Sequence, residues 1–283
     1  MADIVAIFAA SHAPPLVRDW DHIEAGRKSG LAAAFLQLGE RLRAARPDVL
    51  LVIGADHWAN FFLDNMPAIC IGVGAEHGGP PERWLSGYPH ATTMHGHPAF
   101  AMHLAQHAFG HGFEPSLSHR MRLDHAFCVP LWKADFTALP LIVPVVINAI
   151  QNPVPSIARC LALGALIADA VACFEAPLRV AILASGGLSH SVGEAAMGDI
   201  DEAFDRDSLA HFASGDPAAL TAFLSEERIA RAGNGASEVR FWAAAHGAAR
   251  CQGFELIHYE AVPQTYTGCA FAQWNLAGAA IAG

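Results

Sequence analysis

Four short apolar runs constrain the fold most, because they are rich in β-branched residues and bounded by turn-forming residues, as buried strands are. These runs are Ile4–Ala9, Val49–Gly54, Leu141–Ile147 and Arg179–Ala184, with a shorter fifth at Ala68–Val73. Helical patterns lie between and after them, at Leu31–Ala45, Pro98–Phe109, Ile157–Phe174, Asp199–Ala213, Pro217–Ser225 and Ser237–Ala248. Strands that alternate with helices predict an α/β fold with a mixed central sheet flanked by helices on both faces.

The composition supports one large core. Hydrophobic residues make up 53% of the 283 residues and charged residues only 16%. No repeat or low-complexity linker divides the chain, so we predict a single domain over 1–283. The stretch from about 77 to 122 is rich in loops and histidines and predicts a lid over a site. The low charge also favours burial of some surface in a homo-oligomer.

Charge and cysteine usage exclude several classes of protein. The formal net charge is −10 and no basic cluster stands out, so nucleic acid is not an expected partner. No apolar run reaches the ~18–20 residues of a membrane helix. The six cysteines are scattered and form no CxxC pair, which is typical of a reduced, cytoplasmic protein.

Three of the strand runs lead into a histidine. Ile4–Ala9 precedes His12, Val49–Gly54 precedes His57, and Arg179–Ala184 leads through a glycine pair to His190. Ligands of open α/β sheets bind at the carboxyl ends of the strands, so these histidines can converge on one pocket. Alternatively, each histidine caps or hydrogen-bonds a turn.

Imidazole is the commonest protein ligand for zinc and non-haem iron, and a third ligand is available in Glu238. Glu238 follows a glycine-rich turn and opens a helix, where an acidic residue also favours the helix dipole. Two histidines and one carboxylate form the pattern of non-haem Fe(II) oxygenases. Asp56, beside His57, is a rival ligand. His190 is then a fourth ligand or a general base, and Asp124 is an acid that could orient His125.

Other interpretations stay open at this point. The same two histidines and glutamate suit a zinc-dependent hydrolase, in which His190 acts as the base toward a metal-bound water. A non-catalytic scaffold that keeps the fold is a further alternative. A serine hydrolase is disfavoured, because the sequence around Ser185 and Ser189 is not a nucleophile elbow.

Six short motifs occur together and in order: Ser11-His12-Ala13-Pro14, Asp56-His57, Gly96-His97-Pro98, Leu123-Asp124-His125, Gly186-Gly187-Leu188-Ser189-His190, and Gly235 to Trp242. In these the chain resembles the class III extradiol ring-cleavage dioxygenases, a family typified by the β subunit of protocatechuate 4,5-dioxygenase. The motifs spread over most of the chain, and the family fold is an α/β sandwich.

The resemblance implies a role for each matching residue. His12, His57 and Glu238 correspond to the ligands of Fe(II), His190 to the catalytic base, and His125 to a second active-site histidine. The stretch that holds the ring substituent of the substrate corresponds to Thr265, Tyr266 and Thr267. The implied substrates are a catechol-type aromatic diol and O₂, and some family members also require a small α-type subunit.

Overall fold

The computed structural model describes residues 1–90, 92–136 and 138–276. Its strands are β1 Ala2–Ala10, β2 Val49–Gly54, β3 Ile69–Gly72, β4 Glu76–Gly78, β5 Thr93–His95, β6 Ser116–Ser118, β7 Leu141–Ile147, β8 Leu178–Ser185, β9 Phe254–Val262 and β10 Thr267–Trp274. Its α-helices are α1 Pro15–Arg18, α2 Ala25–Ala44, α3 Pro98–Gly110, α4 His125–Lys133, α5 Ile157–Ala172, α6 Glu202–Ser214, α7 Pro217–Phe223, α8 Glu226–Arg231 and α9 Val239–Ala248. Short 3₁₀ turns cover Trp20–His22, Arg83–Leu85, Asn234–Glu238 and Pro263–Thr265.

Eight strands form one mixed sheet in the order β6-β3-β7-β2-β8-β1-β10-β9. The four central strands, β7, β2, β8 and β1, run parallel. On one side β10 pairs antiparallel with β1 and β9 with β10, and on the other β3 pairs antiparallel with β7. The predicted mixed α/β fold is therefore confirmed, and the carboxyl ends of β1, β8 and β2 lie side by side at one edge.

Both faces of the sheet are covered, which explains the continuous apolar runs. Along β2, Leu51 and Ile53 pack into the core layer that contains α3, α5 and α9. Leu50 and Val52 alternate with them and pack into the opposite layer, with α2 and α4. Because successive side chains of a strand point to opposite faces, this alternation places helices on both sides.

Helix α9, which begins directly after Glu238, is held against α5 by two glycines. A Cβ atom at Gly164 of α5 would overlap the Ala244 carbonyl, and one at Gly247 of α9 would overlap the Leu161 carbonyl. The two backbones therefore approach more closely than any larger residue allows. This contact determines where Glu238 lies relative to the sheet.

Replacing Gly164 with Ala should reduce the free energy of unfolding by about 1–3 kcal/mol or more, because the added methyl group forces the helices apart. Urea unfolding of the variant checks this expectation. Gly110→Ala is the matched control, since a Cβ at Gly110 has no atom within 4 Å. Equal stability of the two variants would show that the α5–α9 contact is less close than described.

Some elements differ from the sequence-based expectations. The C-terminal hairpin of β9 and β10 was not predicted, because most of β9 is only partly buried and its pattern is weak. Helix α2 begins at Ala25, six residues before the predicted start, and the predicted helix at Ser237 begins as a 3₁₀ turn. Helix α4 was also missed.

The predicted lid region, residues 77–122, contributes to several different parts of the structure. Within 77–122, α3 packs in the main core and β6 belongs to the central sheet. Among the described residues of this stretch, Glu82 and Trp84, near the β4–β5 hairpin, contact the site residue His125. A lid function for residues 77–122 stays a prediction. Among the described residues, no helix is long and apolar enough to cross a membrane. All six cysteines are free thiols.

Candidate metal centre and active site

The carboxyl ends of β1 and β2 and the turn before α9 bring three sequence-predicted residues together. The Nε2 atom of His12 lies 3.1 Å from Oε1 of Glu238, and the Nε2 atom of His57 lies 3.4 Å from the same oxygen. The rings of His12 and His57 have their centroids 5.3 Å apart. Two imidazoles therefore face one carboxylate at the edge where α/β proteins bind their ligands.

His12 is oriented by a serine that ends β8. The hydroxyl of Ser185 donates to the Ala126 carbonyl, so its oxygen accepts a hydrogen bond from Nδ1 of His12 at 3.1 Å. Since Nδ1 then carries the proton, the lone pair of Nε2 is directed to Glu238. Such partners behind a ring commonly set the tautomer of a metal-binding histidine.

His57 is held by Asp124, the N-cap residue of α4. The backbone N–H of His57 donates to Oδ2 of Asp124 at 2.6 Å, and Nδ1 of its ring lies 3.4 Å from that oxygen. Burial lowers the pKa of His57, but Asp124 and Glu238 outweigh it and raise the pKa to about 10. The sequence analysis associated Asp124 with His125, whereas the structure shows that it orients His57.

Glu238 is buried, with 2% of its surface exposed. Its Oε2 atom accepts the Gly187 N–H at 2.8 Å, which leaves Oε1 for the histidines. Burial raises the pKa of this carboxyl, but the neighbouring His12 and His57 lower it well below its usual value. A buried carboxylate beside two imidazoles requires positive charge, either from protons or from a metal ion.

Three sets of three side chains here lie close enough to share one cation, and one of them is Glu82, Asp124 and His125. Nitrogen atoms of His12, His57 and His125 lie within 4.8 Å of one another, and Glu238 lies within 3.4 Å of both His12 and His57. The set with Glu238 fits better, because it supplies negative charge and because Nδ1 of His125 already bonds Glu82. Adjacent ligands of an octahedral ion with bonds of about 2.1 Å lie about 3 Å apart, so these residues fit a divalent metal.

Asp56, the alternative third ligand, forms hydrogen bonds with the loop that follows it. Its carboxylate accepts from the backbone N–H groups of Ala59, Asn60 and Phe61, and from the side chain of Asn60 at 2.5 Å. These bonds stabilise the loop that follows His57. With both oxygens bonded to that loop, Asp56 acts as a turn-forming residue, and Glu238 is the better candidate for the third ligand.

His190 lies on the glycine-rich loop after β8. Its Nδ1 donates to the Leu188 carbonyl at 3.0 Å, so the neutral ring carries its free lone pair on Nε2. The ring packs on the Cα of Gly235, where a Cβ atom would overlap it. Burial lowers the pKa of His190, although Glu238 raises it in part. The ring is therefore neutral near pH 7, as a general base must be before it accepts a proton.

His125 begins α4 and contacts the other site histidines. Its ring centroid lies 4.1 Å from that of His57 and 5.4 Å from that of His12. Its Nδ1 lies 2.7 Å from Oε1 of Glu82, and the ring of Trp84 lies 5.9 Å away. The sequence provided no signal for Glu82, which lies 43 residues earlier on a different segment.

The predicted substrate-binding residues lie beside the His190 loop. Thr267 forms a bridge with His190, and its hydroxyl donates to the Thr265 carbonyl at 2.9 Å. Thr265 is buried, and its hydroxyl donates to Val262 at 3.1 Å. Tyr266, at φ 60°, is 38% exposed. Of the three, Tyr266 is thus the side chain that reaches solvent.

Asp205, on α6, supports the same loop. Its Oδ1 accepts the Ser189 N–H at 2.7 Å, and its Oδ2 accepts the hydroxyls of Ser189 and Tyr259 at 2.8 and 2.9 Å. Burial raises the pKa of Asp205 to about 6 despite these hydrogen bonds. The residue lies within a polar helix pattern, so sequence alone did not distinguish it from surface acids.

The raised pKa of Asp205 predicts a pH-dependent stability. Because the folded chain holds this proton more tightly than the unfolded chain, the free energy of unfolding should fall by up to about 3 kcal/mol as pH rises from about 4 to 6. Asp205→Asn lacks the titration. The wild-type value minus the Asp205→Asn value, from urea unfolding across this range, should decrease by that amount. Parallel curves would contradict a raised pKa.

Comparisons with known proteins show which family the chain belongs to. Residues 6–272 match the family model LigB, described as the catalytic LigB subunit of aromatic ring-opening dioxygenase. A 2,3-dihydroxyphenylpropionate/2,3-dihydroxicinnamic acid 1,2-dioxygenase of Rhodococcus rhodochrous is 28% identical, with 97% of this chain and 99% of that protein covered. The enzyme of the same name from Cupriavidus necator is 26% identical, with 91% of each chain covered.

A solved structure shows the same fold. The crystal structure of an uncharacterized protein from Escherichia coli K12 matches with a TM-score of 0.65 at 16% identity, and covers 96% of this chain and 100% of that one. At that identity the likeness concerns the fold alone. The family match extends over nearly the whole chain and includes every motif of the site. The chain therefore belongs to the LigB family of aromatic ring-opening dioxygenases, the class III extradiol enzymes that its motifs resemble.

Proposed function

We propose that this extradiol dioxygenase uses Fe(II), bound by Nε2 of His12, Nε2 of His57 and Oε1 of Glu238, to open a catechol-type ring with O₂. The observation that carries the proposal is the buried Glu238 carboxylate, 3.1 and 3.4 Å from two imidazole nitrogens. Two histidines and one carboxylate are the ligand pattern of non-haem Fe(II) oxygenases. Fe(II), when bound, supplies open coordination positions for the diol and O₂ and a path for electrons between them.

His190 is the proposed general base. It is neutral, and its Nδ1–H bond to Leu188 leaves Nε2 free to accept a proton from a diol hydroxyl. Such positioned proton transfer is typically worth ~10²–10⁴-fold in rate. His125 is the second active-site histidine, which accepts a proton on Nε2 and, as the imidazolium beside Glu82, returns it or stabilises negative charge on oxygen as the ring opens.

The names of the relatives guide the substrate proposal. Both act on catechols with a three-carbon carboxylated side chain, and we propose a substrate of this class. Tyr266, between the buried Thr265 and Thr267, is the proposed contact for the ring substituent. We also propose a homo-oligomer, or assembly with a small α-type subunit. The apolar side chains of Trp58, Phe62 and Leu63, exposed just after His57, support cover by another chain.

The test is metal reconstitution. Protein freed of metal is loaded anaerobically with Fe(II) or with Zn(II), and is then given O₂ with catechol, 2,3-dihydroxyphenylpropionate, protocatechuate or gallate. We expect equimolar O₂ uptake and a yellow ring-opened product with Fe(II) only, and the fastest turnover with 2,3-dihydroxyphenylpropionate. Tight Zn(II) binding with no O₂ uptake by the Fe(II) form on any diol would overturn the proposal.

A further inference from the structure

Glu82 is the one acidic residue of the 76–95 segment whose carboxylate contacts the site within the described residues. Oε1 of Glu82 lies 2.7 Å from Nδ1 of His125 and 3.1 Å from the backbone N of His125. The segment itself is tied in place near the start of α4. The Gly78 N–H donates to Met121 at 2.7 Å, and the Leu123 N–H donates to Gly78 at 3.0 Å. These backbone hydrogen bonds hold the segment that carries Glu82 next to the start of α4.

The two contacts of Oε1 determine the tautomer of His125. A backbone N–H can only donate, so the Glu82 atom that receives it must be an acceptor. The same oxygen faces Nδ1, and two acceptors at 2.7 Å would repel each other. Nδ1 therefore carries the proton, and Nε2 is the ring atom available to the site.

The other oxygen of Glu82 argues against a purely stabilising role. Oε2 is buried and has no hydrogen-bond partner among the described residues. A buried polar group without a partner costs about 1–3 kcal/mol. A residue selected for stability alone would not carry this cost, whereas a residue that orients an active-site ring can.

We propose that Glu82 is a positioning residue that holds His125 in the Nδ1–H tautomer, with Nε2 presented to the bound diol. This inference rests on the proposed function in taking His125 as the second active-site histidine. The 76–95 segment then has a role in the reaction, because its Glu82 carboxylate accepts the hydrogen bond that orients the His125 ring. Removal of a partner behind a metal-binding imidazole typically costs 10–100-fold in metal affinity or activity, and we expect a loss of activity of this size behind His125.

Three variants distinguish the effect of losing the hydrogen-bond acceptor of Glu82 from the effect of losing its negative charge. Glu82→Gln keeps an acceptor oxygen at the Oε1 position, and Glu82→Ala removes it. Glu82→Met also removes it at similar volume, so the proposal stays testable if the alanine variant does not fold. Glu76→Ala is the control, because Glu76 is an exposed acid on the same segment.

The first readout is the tautomer, measured by long-range ¹H–¹⁵N NMR on the Zn(II)-loaded protein, with the His125 signals assigned by their loss in His125→Asn. We expect the Nδ1–H tautomer in the wild type, Glu82→Gln and Glu76→Ala, and its loss in Glu82→Ala and Glu82→Met. An unchanged His125 tautomer in the acceptorless variants, or an Nε2–H tautomer in the wild type, would overturn the proposal.

The second readout is steady-state kinetics of the Fe(II) enzyme. The acceptorless variants should lose about 10–100-fold in kcat with little change in KM, whereas Glu82→Gln should stay within about threefold of the wild type. Equal kcat in all variants would also overturn the proposal. If even the wild type cleaves no diol, the proposed function fails, while the NMR result still decides the role of Glu82.

Discussion

Replacing Glu238 with Gln is expected to empty the metal site, with metal affinity and ring-cleaving activity falling more than about 100-fold. Loss of a residue that hydrogen-bonds a metal ligand typically lowers metal affinity or activity 10–100-fold. Loss of Glu238 should cost more, because Glu238 is itself a proposed ligand. In the wild type the Gly187 N–H donates to Oε2 of Glu238 at 2.8 Å, and the amide oxygen of Gln can accept the same hydrogen bond. The fold should therefore survive while the carboxylate charge between His12 and His57 is lost.

Metal content by elemental analysis and the melting temperature together check this prediction. Glu76→Gln is the matched control, because it removes the same charge from an exposed position on β4 that is not among the proposed ligands. Full metal content and full activity in Glu238→Gln would remove Glu238 from the ligand set. They would instead favour the group of His12, His57 and His125.

Replacing Gly235 with Ala should reduce kcat by ~10²–10⁴-fold, the range expected when a positioned base is lost. The added Cβ atom would overlap three atoms of the His190 imidazole, so the ring must leave its place. Gly110→Ala, in open space, is the control for the substitution itself. Metal content should stay at the wild-type level, because the proposed metal ligands are other residues.

The two measurements separate the possible causes of a lost rate. A low kcat with full metal content identifies displacement of His190. Loss of metal as well would mean that the turn of Asn234–Glu238 had moved as a whole. An unchanged kcat would contradict the role of His190 as the base.

The parallel core of the fold was predictable from sequence because its signal is local. Strands β2, β7 and β8 are buried on both faces, so each reads as an unbroken apolar run. The β9–β10 hairpin is held by the pairing of β10 with β1, which lies at the other end of the sequence, so no local pattern predicts it. Since much of β9 is partly exposed, neither a continuous run nor a clean alternation marks it.

The proposed ligands were predictable for a similar reason. His12 and His57 follow β1 and β2, which both pair parallel with β8 between them, so the three strands end at the same edge of the sheet. The residues that orient these rings were not predictable, because they come from distant parts of the chain. Ser185 lies 173 residues from His12, and Glu82 lies 43 residues from His125. Asp124 was noticed beside His125, yet only the structure shows its bonds to His57.

The most direct test of the account is anomalous diffraction at the iron absorption edge from crystals of the Fe(II)-loaded protein kept without oxygen. We predict one strong peak between Nε2 of His12, Nε2 of His57 and Oε1 of Glu238. A peak beside Glu82, Asp124 and His125, which also lie close enough together to bind a cation, or no ordered peak at all, would contradict it.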